Sequence, residues 1–215
     1  MTTRKVNASA DELLDPSAQV WKKAVVQQID LSPAPLATVE ERSPFLARSE
    51  GHGVIERVAL STLHNGKVIA MRLSWADATR NDQLSDLNVF VDAVAVLFPL
   101  SKSTNALTMG SETDPANAWY WKANLKEPYD VLSMGFGQTV RRPGKQSLLQ
   151  SASAYDGASW AVVLQRPLTA PGSGFVQFVP GKPAALAVAV WDGHNNERSG
   201  RKAISGDFQP MEIEA

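Results

Sequence analysis

Two stretches that lie far apart in the sequence carry side chains able to bind a metal. Residues 108–123 contain Met109, whose thioether is a soft ligand, and residues 191–202 end at Lys202, whose amine binds a metal only when neutral. Each also has an ordinary interpretation, because most methionines fill gaps in a core and a lysine in a charged segment is almost always exposed. Residue type alone therefore singles out neither one.

The usual motifs of enzymes and nucleotide-binding proteins are absent from the sequence. There is no P-loop, no Gly-x-Gly-x-x-Gly, no His-Glu-x-x-His and no Gly-x-Ser-x-Gly. Three histidines, His52, His64 and His194, are widely separated, and we do not expect them to share a metal ion. The lack of cysteine excludes disulfides, cysteine-bound iron–sulfur clusters, thiolate zinc sites and covalently attached c-type haem. An enzyme in its own right is therefore the weaker hypothesis.

The composition is that of a soluble globular protein. Of the 215 residues 44% are apolar and 20% charged, and 21 basic against 22 acidic side chains give a formal net charge of −1. This balance provides no long-range attraction to nucleic acid or to an anionic membrane. No apolar run approaches the roughly 20 residues that span a bilayer. We expect one domain over residues 1–215, with no bound nucleic acid and no membrane span.

The candidate ligands need a scaffold, and the sequence predicts β-strands for it. Residues 54–63 and 68–75 form the clearest hairpin, because Asn65-Gly66 between them favours a type I′ turn with positive φ at both central positions. A second hairpin is predicted from residues 151–155 and 160–166. About residues 1–40 carry several prolines and are interpreted as an extended N-terminal arm.

Residues 184–191 are apolar on both faces and predict a central strand that is covered on each side. Three small residues on one of those faces, Ala185, Ala187 and Ala189, leave space for something bulky. Helical periodicity is scarce, and residues 84–96 are the best candidate for a helix. The pattern as a whole predicts a mainly β fold, an antiparallel β-sandwich with a few short helices.

Several motifs resemble the haem b-binding γ subunits of ethylbenzene dehydrogenase and steroid C25 dehydrogenase, molybdenum enzymes of the type II dimethyl sulfoxide reductase family. The resemblance runs over roughly residues 13–213, and that family has an antiparallel β-sandwich fold with short helices. The matching motifs are residues 43–46, 50–55, 63–66, 98–99, 118–124 and 197–202.

The resemblance implies haem b as the cofactor, with Met109 and Lys202 as the axial ligands of its iron. Met109 precedes a glycine and lies upstream of Pro-x-Asn-x-Trp, and Lys202 ends the motif Arg-Ser-Gly-Arg-Lys. Ala116 stands where the family often has a branched residue, which affects packing and neither ligand. With both axial positions filled, such a haem would carry single electrons and bind no substrate.

The family also implies partners and a location. A molybdopterin-containing α subunit would oxidise a hydrocarbon, and an iron–sulfur β subunit would pass electrons through this chain to a soluble acceptor such as a cytochrome. The N-terminus lacks the apolar stretch of a secretory signal, which by itself indicates the cytoplasm. The family complexes work in the periplasm, so we expect a periplasmic protein that is exported together with its α subunit.

The walls of the haem site are a further expectation. Phe98, Trp119 and Trp121 are candidates to flank the porphyrin together with the small alanines, and an ordinary role in the core is equally compatible with the pattern. Arg198 and Arg201 either meet the haem propionates or are solvated.

Two alternatives remain open from the sequence. The first is a non-redox ligand- or carbohydrate-binding β-sandwich module, in which some of the six tryptophans would serve as sugar platforms. Four of the six lie in apolar strand-like segments, where burial is expected. The second is a structural subunit that has lost its haem, and the presence of both Met109 and Lys202 argues against it.

Overall fold

The computed structural model describes residues 1–36, 40 and 43–215, and β-strands dominate them. Helical structure in this part of the chain is limited to α1 (Ala10–Leu14), α2 (Pro44–Ala47) and two short 3-10 turns. The strands are β1 (Thr2–Lys5), β2 (Val26–Asp30), β3 (Ser32–Pro33), β4 (Arg57–His64), β5 (Val68–Ala76), β6 (Ala93–Pro99), β7 (Ala116–Lys122), β8 (Tyr129–Ser133), β9 (Thr139–Pro143), β10 (Gln150–Tyr155), β11 (Ser159–Pro167), β12 (Pro183–Trp191), β13 (Ala203–Ile204) and β14 (Gln209–Ile213).

The strands are hydrogen-bonded in the order β10-β11-β5-β4-β1-β14-β12-β6-β7-β8-β9. We call β10, β11, β5, β4 and β2 the first half, and β14, β12, β6, β7, β8 and β9 the second half. Strand β1 joins them, because its start pairs with β14 and its end pairs with β4, both in parallel. The remaining pairings are antiparallel, so the mainly β, sandwich-like fold predicted from the sequence is confirmed.

The core lies between the two halves. Met71 and Leu164 of the first half pack in one buried cluster with Phe98 and Trp119 of the second half. Phe98 contacts Trp119 and Phe178 edge to face, with ring centroids 5.0 and 5.4 Å apart. Side chains alternate along a strand, so the residues between these core positions point away from the core, to the outer face of the second half.

Both predicted hairpins are present, as β4–β5 and β10–β11. The first one does not use a type I′ turn, because Gly66 has a positive φ of 84° and Asn65 does not. The side chain of Asn65 instead accepts hydrogen bonds from the backbone N–H groups of Lys67 and Val68, at 3.0 and 2.9 Å. Such an Asx interaction stabilises the turn without the second left-handed residue.

The helix predicted over residues 84–96 is wrong. The connection from β5 to β6 contains no helix, and β6 begins at Ala93. The apolar run reflects a strand covered on both sides, with Val94 and Val96 in the core and Ala95 on the outer face. Residues 184–191 behave as predicted, since β12 lies between β6 and β14.

The N-terminal segment that was predicted as an extended arm contributes to the sheet. It contains β1, β2 and β3, and the capping box of Ser9 and Glu12 starts α1, whose Leu13 is fully buried. Residues 37–39 of this segment lie outside the described residues. In the part of the chain that the structure describes, no helix is long and apolar enough to cross a membrane.

Candidate functional site

A cavity of about 350 Å³ lies on the outer face of the second half. Its floor is made by small side chains that alternate with the core residues of β6, β7 and β12. In the strand register Ala95 is directly opposite Ala189 on one side and Tyr120 on the other. Ala118 and Ala187 extend this floor. The short side chains leave space for a flat apolar group against the sheet.

Loops from several parts of the chain cover this floor. Leu36 and Leu46 belong to the β3–β4 connection, Leu107 to the β6–β7 connection and Phe136 to the β8–β9 connection, and all four line the cavity. Gly200 lies among them, and a Cβ added there would come 2.9 Å from the Cδ2 atom of Leu36. The covering loops thus pack closely against one another at this position.

Met109 is held by a tight loop between β6 and β7. It has a positive φ of 57°, and its carbonyl oxygen accepts a hydrogen bond of 2.7 Å from the hydroxyl of Ser133. The next residue, Gly110, has a φ of 83°, and a Cβ on it would meet the backbone nitrogen of Ala116 at 2.8 Å. Two consecutive left-handed residues therefore place Met109 at the cavity.

Lys202 reaches the cavity from the connection between β12 and β13. The indole Nε1 of Trp191 donates a 3.0 Å hydrogen bond to the carbonyl of Ser199, which has a φ of 53°. The carbonyl of Lys202 accepts a hydrogen bond from the backbone of Ala34. These contacts turn the lysine inward, and only 6% of it is exposed.

The two side chains predicted as ligands meet at one point of the cavity. Nζ of Lys202 lies 3.2 Å from Sδ of Met109 and 5.1 Å from the ring centroid of Trp191. Lys202 takes part in none of the ion pairs formed by the described residues. Burial lowers the pKa of its amine from 10.5 to about 8. A buried amine without a counter-charge beside a thioether is suited to bind a soft or borderline metal centre.

Glu197 fixes the loop that carries Lys202, and sequence reasoning missed it. Its carboxylate is 1% exposed and accepts hydrogen bonds from the backbone N–H groups of Gly53 and Val54, at 2.6 and 3.2 Å. It also accepts from the side chain of Asn195 and from the backbone of Asp192. In the sequence this residue opens a charged segment of the kind that is usually solvated, which gave no signal of burial.

The aromatic residues expected to line the cavity are the wrong ones, whereas two of the expected alanines do line it. Phe98, Trp119 and Trp121 lie in the core between the two halves and do not line the cavity. The aromatic wall is formed by Tyr120 and Trp191, which are on the opposite face of the same sheet. The alternation of β7 places Tyr120 outward and both of its tryptophan neighbours inward. Of the three alanines predicted to leave space on β12, Ala187 and Ala189 line the cavity and Ala185 does not.

The arginines near the cavity also differ from expectation. Arg198 stacks on the ring of Phe90 at 4.2 Å, and Arg201 donates to Ser49 and to the carbonyl of Glu50, so neither lines the cavity. Arg141 of β9 does line it, with its guanidinium about 6.0 Å from the ring of Tyr120. The sequence around Arg141 does not indicate that this residue lines a cavity.

The remaining candidate ligands do not form a site. Within the described residues, His52, His64 and His194 belong to no group of side chains able to share a metal ion. The six tryptophans are each at most 8% exposed, so none offers an open platform for a sugar ring. They are Trp21, Trp75, Trp119, Trp121, Trp160 and Trp191.

Comparison with known proteins adds relatives and a fold likeness. The family model for ethylbenzene dehydrogenase matches residues 18–147 and 137–203. A Haloferax mediterranei protein named as a respiratory nitrate reductase haem subunit is 30% identical over 198 residues, which are 91% of this chain and 67% of that protein. The chlorate reductase γ subunit of Ideonella dechloratans is 30% identical over 206 residues, which are 95% of this chain and 82% of that protein.

Among solved structures, a family 9 carbohydrate-binding module from Caldicellulosiruptor kristjanssonii has a TM-score of 0.58 at 8% identity. The match covers 100% of this chain and 95% of the module. At this identity the likeness concerns the β-sandwich fold alone.

Proposed function

The chain belongs to the ethylbenzene dehydrogenase family, and we propose that it binds haem b beside Met109 and Lys202 and transfers single electrons as a subunit of a molybdenum enzyme. Its relatives include proteins named as a haem subunit and as a γ subunit of reductases. The observation that carries the proposal is the 3.2 Å approach of a buried, unpaired lysine to a methionine sulfur at an apolar cavity.

The residues around the cavity fit a porphyrin. The floor of alanines is flat, and the covering leucines and Phe136 provide an apolar roof. The volume of about 350 Å³ is within the usual range of ligand pockets, roughly 300–1,000 Å³. Met109 and Lys202 have long unbranched side chains, which can separate to accept an iron atom between them.

The protein lowers the free energy needed to make the lysine a ligand. An amine with a pKa of 10.5 loses its proton at pH 7 at a cost of about 5 kcal/mol, whereas a pKa of about 8 reduces that cost to about 1 kcal/mol. Burial is the cause of the difference. Burial thus removes most of the cost of deprotonating Lys202 before the energy of an iron–nitrogen bond is counted.

Haem iron would supply a one-electron couple between its ferrous and ferric states. Met109 through its thioether and Lys202 through its amine would hold the haem iron, and with two protein ligands the group would serve electron transfer and would bind neither oxygen nor substrate. A methionine ligand favours the reduced state and raises the reduction potential. The chain would therefore conduct electrons and carry out no bond chemistry.

The finer parts of the proposal concern the complex. We propose a heterotrimer in which a molybdopterin α subunit oxidises a hydrocarbon and an iron–sulfur β subunit delivers electrons to this chain. A soluble cytochrome would accept them in the periplasm, with the chain exported together with α. The family name supports hydrocarbon oxidation, and the two relatives are named as reductases, in which electrons would run in the opposite direction.

The test is a titration of the full chain with haem b, followed by visible spectra and a pyridine haemochrome assay. We expect one haem per chain with sharp low-spin bands in the reduced form. The proposal would be overturned if the chain remained colourless, or if it bound haem only weakly, in a high-spin form and without fixed stoichiometry. Either result would favour a non-redox binding module. Fractionation of the native host and isolation of the complex test the location and the partners.

A further inference from the structure

Three aspartates converge where β5, β6 and β12 begin or end. Asp77 follows β5, Asp92 precedes β6 and Asp192 follows β12. Each offers one carboxylate oxygen, and the three oxygens lie within 4.8 Å of one another. Strand β5 belongs to the first half and β6 and β12 to the second, so the cluster connects the two halves.

The protein does not neutralise the charge of this cluster. Asp77 is 5% exposed and Asp92 is fully buried. None of the ion pairs formed by the described residues includes any of the three carboxylates. Buried charges of one sign are strongly unfavourable unless a counter-charge or a proton compensates them.

Hydrogen bonds satisfy both oxygens of Asp92 and one oxygen of Asp77, and they leave the second, buried oxygen of Asp77 without a partner. Asp92 accepts from the backbone N–H groups of Asn81 and Gly193 and from the indole of Trp160, at 2.8–2.9 Å. One oxygen of Asp77, Oδ1, accepts from Thr79. The other, Oδ2, is buried and accepts no hydrogen bond. Asp77 therefore has a buried carboxylate oxygen without a hydrogen-bond donor and lies beside two further carboxylates, and such an oxygen can act as a ligand for a cation.

The electrostatics of the site agree with this placement. Burial raises the pKa of Asp92 to about 6. Burial also raises the pKa of Asp77, and the charge of Asp192 adds to that effect. Both shifts have the same cause, the burial of carboxylates that take part in none of the ion pairs of the described residues.

We propose that Asp77, Asp92 and Asp192 bind a hard divalent cation of the calcium class. Oxygen ligands lie about 2.3–2.6 Å from Ca²⁺ and about 2.0–2.1 Å from Mg²⁺, so two ligands of one ion are at most about 5 Å apart for Ca²⁺ and about 4.2 Å for Mg²⁺. The three oxygens lie within 4.8 Å of one another, which brings them within reach of one Ca²⁺. Water completes the coordination, and the site does not depend on haem.

The cation would stabilise the base of the loop that carries the proposed haem ligand. Asp192 is the first residue after β12, and its backbone N–H donates to Glu197 in the same loop as Lys202. Asp92 holds Gly193 of that loop at 2.9 Å. Bound Ca²⁺ therefore links the loop of Lys202 to the end of β5 in the other half.

The experiment is calorimetric titration of Ca²⁺ into the full chain after removal of divalent ions by a chelator. We expect one Ca²⁺ per chain and a higher Tm with Ca²⁺ than with chelator. Asp77→Asn and Asp192→Asn should each weaken binding by about tenfold or more, since affinity depends on the number of carboxylate ligands. Asp86→Asn, an exposed residue of the same β5–β6 connection, is the matched control and should bind as the wild type does.

A second readout locates the ion. Tb³⁺ in a calcium site luminesces when a nearby tryptophan is excited, and Nε1 of Trp160 lies 2.9 Å from Oδ2 of Asp92. Ca²⁺ should displace this signal. Asp192 is partly exposed, so its variant serves the test if Asp77→Asn does not fold. Absence of saturable Ca²⁺ binding, tighter binding of Mg²⁺, or unchanged binding in the cluster variants would overturn the proposal.

Discussion

Nζ of Lys202 and Sδ of Met109 lie 3.2 Å apart although 93 residues separate them in the sequence. Each of the two residues is held by a loop that contains a residue with left-handed backbone. In the first loop this residue is Met109 itself, and in the second it is Ser199, three positions before Lys202. Strained backbone of this kind is kept where the surrounding structure requires a particular side-chain position. The backbone around both residues therefore fixes the position of this pair at the cavity.

The first prediction concerns the ligands. In the haem-loaded chain, Met109→Ala and Lys202→Ala should each abolish the low-spin six-coordinate spectrum, because one axial position loses its donor atom. Lys182→Ala, at an exposed lysine, and Met134→Leu, outside the cavity, are the matched controls and should keep the wild-type spectrum. Circular dichroism should show the β-sandwich in all four variants. A low-spin spectrum that survives in either ligand variant would remove that residue from the assignment.

The second prediction concerns pH and the haem-free chain. The pKa of Lys202 is about 8 in the folded protein and 10.5 when the lysine is in water, so the unfolded chain binds more protons between these values. The free energy of unfolding should therefore rise with pH from about 8 to about 10.5, and the contribution is about 3 kcal/mol. Below pH 8 the buried positive charge destabilises the fold by that full amount.

Lys202→Met isolates this effect, since other lysines and tyrosines titrate in the same range. The variant should be more stable than the wild type by about 3 kcal/mol at pH 7, and the difference should vanish near pH 11. Urea denaturation at several pH values measures it. A constant difference across the range would mean that the lysine is not desolvated in the haem-free state.

The third prediction concerns Glu197. Its carboxylate accepts hydrogen bonds from Gly53, Val54, Asp192 and Asn195, and hydrogen bonds to a charged group contribute about 1.5–3 kcal/mol each. The variant Glu197→Ala also removes the cost of burying the charge, so it should destabilise the chain by about 3 kcal/mol, less than the sum of the four hydrogen bonds. It should also increase hydrogen exchange in residues 193–202. Haem affinity should fall even though no ligand is changed. Glu127→Ala, at an exposed glutamate, should have no effect on either property.

The strand content of this protein could be predicted from local patterns. Alternation in residues 68–75 and the two-sided apolar run at 184–191 correspond to β5 and β12. The same reasoning failed for residues 84–96. Strand β6 is buried on both faces, so its residues are apolar without alternation, and a short apolar run of this kind cannot be told from a buried helix. The register of β7 against its neighbours decides that Tyr120 lies on one face of the sheet and Trp119 on the other. The composition of that strand does not reveal which face is buried in the core.

The ligand pair was predicted only through resemblance to a family, because a methionine in a polar loop and a lysine in a charged one look ordinary. Glu197 and the cluster of Asp77, Asp92 and Asp192 gave no signal at all. Their burial depends on contacts between residues that are about 70 to 140 positions apart, such as Trp160 with Asp92 and Gly53 with Glu197. Local patterns contain no information on such contacts.

The last prediction separates the cavity from the ligands. Ala189→Leu adds three carbon atoms to the floor on which a porphyrin would lie, and it leaves Met109 and Lys202 unchanged. Overpacking typically costs about 1–3 kcal/mol, so haem affinity should fall roughly 5- to 150-fold. The haem-free chain should keep its stability, because the added side chain occupies the cavity. Ala185→Leu, on the same strand and outside the lining, is the matched control. Equal haem affinity in the two variants would place the haem elsewhere on the protein.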